Sequence, residues 1–168
     1  MEEKGIKADV CAGLSLGEYG ALAAAKVLDD KALFQLIRKR GIFMQEAYPV
    51  GGAMAAVLGM DGDRIREICE DTEGIVSVAN YNCPGQLVIS GANGAVDEAC
   101  AKLKVAGAKR ALRLPVGGAF HSPLMEAARA ELEAAIEAVE FRQPVCPIYQ
   151  NVDAQPHTCP EEIKQNLI

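Results

Sequence analysis

The chain has 168 residues, 50% hydrophobic and 24% charged, with a net charge of −6. That is enough for one sizeable core or two small ones, no apolar run approaches the roughly 20 residues of a membrane helix, and the opening Met1-Glu2-Glu3-Lys4-Gly5 lacks the basic-then-apolar order of a signal peptide. A soluble cytoplasmic protein is expected, and an acidic balance without a basic block argues against nucleic acid as a partner.

The chain opens as strand, turn, helix: Ala8–Ala12 is short and apolar, Gly13–Gly17 is a bend, and Glu18–Leu28 is alanine-rich with an acid in its first turn. Asp29-Asp30 offers an N-cap for a second helix running to about Tyr48, which Pro49-Val50-Gly51-Gly52 ends. The pattern then changes to strand (54–58), helix (63–71), strand (75–80), strand (86–90), helix (95–106) and strand (110–116). This βαββαβ order is the ferredoxin-like arrangement, here as an insert. Beyond Gly117-Gly118, Ser122 as N-cap and Pro123 at the first helical position mark a helix with Leu124, Ala128, Leu132, Ile136 and Val139 on one face. A strand around 145–152 and a helical start near 160–168 close the chain. The fold class expected is α/β: an incomplete parallel-sheet subdomain of residues 1–52 and 117–168, interrupted by a ferredoxin-like subdomain of residues 53–116. The six cysteines stand singly with no CxxC pair, so reduced, mostly buried thiols are expected and neither a metal site nor a disulfide framework.

Three residues stand out chemically. Ser15 lies in "GLSLG", a G-x-S-x-G bend between a strand and a helix, the setting of a nucleophile elbow in which the Leu16 N–H can stabilise an oxyanion; the alternative is a turn serine. Arg40 falls in the apolar stripe Leu33, Ile37, Met44, Ala47, whereas Arg38 and Lys39 point away. A guanidinium on that face either meets an anion through its planar fork or snorkels to water. His121, in "GGAFHSPLM", sits between a glycine turn and a helix start, whose positive end favours the neutral ring of a base; a structural histidine is the other reading. His157, after Pro156 in a polar loop, reads as a surface residue. No acid is placed to complete a triad of hydrolase order.

The motifs "GLSLGEYGAL", "RKRGIFMQEA", "NYNCPGQLVISG" and "GGAFHSPLM", in this order around the βαββαβ insert, closely resemble the malonyl-CoA:acyl-carrier-protein transacylase family over essentially the whole chain. The resemblance implies malonyl transfer from malonyl-CoA to the phosphopantetheine thiol of acyl carrier protein through a malonyl-Ser15 ester, with His121 as base, no cofactor and no metal. Arg40 matches the family arginine that grips the malonyl carboxylate. Phe120 would crowd a branched acyl group, Met44, a core methionine when read by itself, would line the same pocket, and Asn82, expected on the turn between two strands, would face the pantetheine arm. A strand with a Gly-Gln-Gly loop that opens the family pattern, and a strand and loop that close it, have no counterpart here. The expectation is a central fragment with weak or no activity alone; a serine esterase or thioesterase, and a non-catalytic module binding acyl carrier protein, are the competing classes.

Overall fold

In the computed structural model, which describes Gly5 and residues 7–168, strands assemble into a three-stranded and a four-stranded sheet. The opening stretch Met1–Lys4, read above for a leader pattern, lies outside the described residues, as does Ile6. The fold is α/β, and the chain divides into two compact units: residues up to Gly41 together with Arg129–Ile168, and Ile42–Ala128.

In the first unit, β1 (Cys11–Ala12) pairs in parallel with β6 (Ile148–Tyr149), which pairs antiparallel with β7 (Pro156–His157). Helix α1 (Leu16–Ala24) follows β1 directly, α2 (Asp30–Ala47) begins where Asp29 Oδ1 accepts the Ala32 N–H at 2.8 Å, and α6 (Pro160–Leu167) ends the chain. Leu22, Val27, Leu36, Ile136, Ile148 and Ile163 are fully or almost fully buried here, Ile136 lying on α5 (Glu126–Glu137).

The second unit holds β2 (Gly52–Leu58), α3 (Gly62–Glu70), β3 (Val76–Cys83), β4 (Gln86–Ala92), α4 (Asn93–Val105) and β5 (Arg110–Arg113). Every strand pair in its sheet is antiparallel, in the order β3-β4-β2-β5. Helical spacing does the covering: Ile65, Ile68 and Cys69 of α3 and Val96, Ala99, Cys100 and Leu103 of α4 pack on Ala53, Ala55 and Val57 of β2 and on Ile89 of β4. Helix α4 stops at Gly107 (φ 100), with the Ala108 N–H bonded to Leu103 O, the glycine-closed helix end. Ser122 caps the 3₁₀ turn Pro123–Met125 as expected, accepting the Leu124 N–H, and α5 begins only after it.

Some elements are shorter than their sequence pattern. Helix α1 ends at Ala24 rather than near Leu28, because Lys26 takes a left-handed conformation (φ 63) and the Val27 N–H returns to Leu22 O. A lysine there does what glycine usually does, and the buried Val27 and Leu28 are drawn out of the helix into the core. The strand expected over 145–152 shrinks to Ile148–Tyr149; a turn at Asn151–Ala154, with Ala154 at φ 56, sends the chain back as β7. Asn82 is not on a turn: β3 runs to Cys83, the hairpin is the two-residue Pro84-Gly85, and Asn82 is the extra residue of a β-bulge between Tyr81 and Cys83. Cys11, Cys69, Cys100 and Cys146 are buried, Cys159 partly so and Cys83 exposed; all six are free thiols, the Cys11 and Cys146 sulfurs lying 3.6 Å apart.

Gly91 of β4 lies against the Ile75 carbonyl and Val76 backbone, where an added methyl has no room, whereas Gly94 of α4 faces open space. Gly91→Ala is expected to destabilise the fold by about 1–3 kcal/mol and Gly94→Ala to be neutral or to gain up to about 1 kcal/mol. Urea midpoints of the two variants check this; equal shifts would contradict the packing described.

Candidate functional site

The site starts from a tight connection. Three residues, Gly13 to Ser15, join β1 to α1, and Ser15 is held at φ 52, ψ −108, a region that costs a non-glycine residue roughly 1–3 kcal/mol. Gly13 is required sterically, since a side chain there would run into the Gly17 carbonyl; Gly17 has open space around it and no such requirement. The Gly17 N–H bonds Leu14 O at 2.8 Å and the Glu18 N–H bonds Ser15 O at 3.1 Å, so the helix starts at once. Leu16 is its first residue, among the helix-start N–H groups that lack an intrahelical partner.

Polar side chains after β6 reach this elbow. Asn151 Oδ1 accepts the Ser15 N–H at 2.6 Å, and Asn151 Nδ2 donates to Gly13 O at 2.6 Å. Beside it, the buried Gln150 donates from Nε2 to Glu18 Oε1 at 3.1 Å and to Ile163 O at 3.0 Å, and accepts from Asn166 Nδ2 at 3.1 Å. Glu18 is 6% exposed. Burial pushes its carboxyl above the ordinary value, opposed by the bonds from Gln150 and the Asn151 N–H and by the positive charge of Arg40.

Arg40 is partly buried on α2, with Leu33 and Leu36 buried on that helix and Arg38 and Lys39 exposed. Its Nη2 donates to Ser15 Oγ at 2.8 Å, and its Cζ stands 5.7 Å from the centre of the Tyr19 ring. Among the described residues no carboxylate forms an ion pair with it. Tyr19 is 2% exposed, its hydroxyl has no hydrogen-bond partner among the described residues, and burial pushes its pKa up to about 12.

Ser15, Leu16 and Arg40 thus come together in the first unit. Met44, Asn82, Phe120 and His121 belong to the second. There His121 is exposed at φ 58 in the turn before Ser122, a second non-glycine residue in a costly conformation. The Phe120 ring lies over Gly118, where any side chain would collide with it, and the Gly118–Ala119 backbone packs on Gly52. Met44 is partly buried on α2 and Asn82 exposed on β3. His157 is not an ordinary surface histidine: on β7 its ring is 17% exposed, Nε2 lies 2.9 Å from Asp153 Oδ2 and Nδ1 3.5 Å from Glu162 Oε2, and the Asp153 bond raises its pKa. Asn151, Gln150 and Tyr19 are unmarked in the sequence, where Glu18 shows only as a first-turn acid and the amides only as a pair inside an otherwise apolar stretch.

Among the described residues, no group of three or more His, Cys, Asp or Glu side chains is disposed to hold a metal, and no helix is long and apolar enough to cross a membrane.

The chain matches the acyl transferase domain family over residues 1–166. It is similar to the malonyl CoA-acyl carrier protein transacylase of Staphylococcus aureus (strain COL), 44% identical over 98% of this chain and 55% of that protein. The Bacillus subtilis (strain 168) protein of the same name is 46% identical over 100% of this chain and 54% of its own length. The fold superimposes with a TM-score of 0.95, at 44% identity, on the solved structure of a type II PKS acyl-carrier protein in complex with its malonyl-transacylase, covering 99% of this chain and 55% of that one. The chain spans about half the length of the curated relatives it matches.

The buried Glu18 carries a prediction about pH. Its pKa in the folded protein is raised above the ordinary 4.5, so the folded state holds more protons than the unfolded chain in the window just above that value, and stability falls as pH rises through it. Glu18→Gln, which keeps an acceptor for Gln150, is expected to flatten that decline in thermal midpoints recorded from pH 4 upward; an unchanged slope would assign it to another group.

Proposed function

Because the chain belongs to the acyl transferase domain family, we propose that it carries the acyl-transfer centre of a malonyl-CoA:acyl-carrier-protein transacylase. Ser15 Oγ attacks the malonyl thioester carbonyl while His121 accepts its proton; the carbon–sulfur bond breaks and coenzyme A leaves with that proton. The phosphopantetheine thiol of acyl carrier protein then attacks the malonyl-Ser15 ester, giving its proton to His121, which returns it to Ser15. The Leu16 N–H, at the start of α1, serves the oxyanion in both halves. No metal or organic cofactor takes part.

The observation that carries the reading is the 2.8 Å bond from Arg40 to Ser15 Oγ, made by a partly buried guanidinium with no ion pair among the described residues. A malonyl group on Ser15 places its free carboxylate two carbon–carbon bonds beyond the attacked carbonyl, within the ambit of that fork, and planar two-point recognition suits arginine. Acetyl-CoA brings no carboxylate and leaves the cation unmet, which is how a polar site rejects a substrate lacking the group it binds. Phe120 is the proposed barrier to branched acyl groups, Met44 a further pocket wall, and Asn82, from its exposed bulge, a contact for the pantetheine arm. Residues 1–52 and 117–168 are proposed as the catalytic α/β subdomain and 53–116 as a ferredoxin-like subdomain, supported by the βαββαβ order and its antiparallel sheet order β3-β4-β2-β5. A cytoplasmic setting is proposed, which six free thiols suit.

Arg40→Ala removes two charge-assisted hydrogen bonds, worth about 3–6 kcal/mol together. Malonyl kcat/KM is expected to fall roughly 10²-fold or more while acetyl transfer changes little, so the preference between them narrows. Steady-state transfer assays with the two thioesters side by side check this; undiminished malonyl transfer would make Arg40 structural and remove the substrate assignment.

A further inference from the structure

The strained conformation of Ser15 has a particular keeper. An N–H at a helix start needs a partner outside the helix, and the spacing of Ser15 and Glu18 would let Glu18 supply one by reaching back, as in a capping box. The Glu18 carboxylate instead accepts from Gln150 Nε2 and the Asn151 N–H. The Ser15 N–H goes to Asn151 Oδ1, while Asn151 Nδ2 holds Gly13 O, both at 2.6 Å. The amide orientation is unambiguous, because flipping it would set donor against donor and acceptor against acceptor. Asparagine is the shortest side chain offering one donor and one acceptor side by side, and the elbow presents the complementary pair two residues apart. The base of that side chain is itself anchored: Gln150, next to it, is 1% exposed, and the strand it follows is paired with β1.

We propose that Asn151 is the positioning residue of the Ser15 nucleophile: its carboxamide bridges Gly13 O and Ser15 N–H and so fixes the direction of Ser15 Oγ. It touches no reacting atom. Without it the elbow can relax toward ordinary backbone angles, swinging Oγ away from Arg40 and from the helix-start N–H groups. The role rests on the reading of Ser15 as nucleophile, and it can be separated from the choice of acyl group.

The test measures the rate of Ser15 modification in two ways, by a fluorophosphonate, which reports nucleophilicity alone, and by malonyl-CoA in single turnover across concentrations, with Ser15→Ala as the blank. Asn151→Ala is expected to lower the limiting rate of both at least 10-fold with little change in the malonyl-CoA concentration giving half saturation. Asn151→Asp keeps the acceptor for Ser15 but opposes the Gly13 carbonyl, and should fall between. Wild-type limiting rates in both variants, with circular dichroism showing them folded, would overturn the proposal, as would a loss confined to half saturation. Wild-type protein that reacts with fluorophosphonate but not with malonyl-CoA would sink the malonyl reading while the fluorophosphonate rates still decide the role of Asn151; reaction with neither overturns both.

Discussion

An L-amino acid at φ 52, ψ −108 persists only where its surroundings over-determine it, and Ser15 is so placed. The missing Cβ at Gly13 lets the chain fold back toward Gly17, β1 is tethered to β6 by the bond from Cys11 N to Pro147 O, and α1 starts without a spare residue. The Asn151 carboxamide, bridging Gly13 O and the Ser15 N–H, closes the set, and the serine keeps its angles only while these restraints act together. The hydroxyl therefore stands at a helix N-terminus, where partial positive charge accumulates, with a guanidinium bonded to it.

The charges around that point are arranged in depth. Arg40 lies against the hydroxyl and over the Tyr19 ring, and Glu18, one helix turn on from Ser15, is buried and satisfied by amide groups and not by a direct ion pair with the arginine. A carboxylate clamped onto Arg40 would have neutralised the cation that is proposed to meet the malonyl carboxylate. Directing Glu18 toward Gln150 and Asn151 keeps its charge from cancelling the guanidinium at close range. It also joins α1, the segment after β6 and α6 through a single chain of side-chain hydrogen bonds.

Much of this was legible because it rests on local rules. The glycine before Ser15, the Asp29 and Ser122 caps and the alternation of strand and helix periods from β2 to β5 each leave a mark of fixed spacing. What stayed hidden depends on contacts distant in sequence. Nothing announces that Lys26 will take a left-handed conformation, because burial of Val27 and Leu28 imposes it. The β6–β7 hairpin escaped notice since its turn carries no glycine and each strand has two residues. The bulge at Asn82 is likewise a property of the pairing with β4 and not of β3 alone. Asn151 lies 136 residues from the backbone it braces, so its part in the site is visible only once the fold is known.

The central claim is that Ser15 is a nucleophile made selective by Arg40, and peptide mapping after prolonged exposure to malonyl-CoA, long enough for a chain expected to be weakly active alone, addresses it most directly. A malonyl ester on the peptide containing Ser15, discharged on addition of phosphopantetheinylated acyl carrier protein, is the predicted result. An adduct on another residue, or one that yields only free malonate to water when the carrier is present, would contradict it.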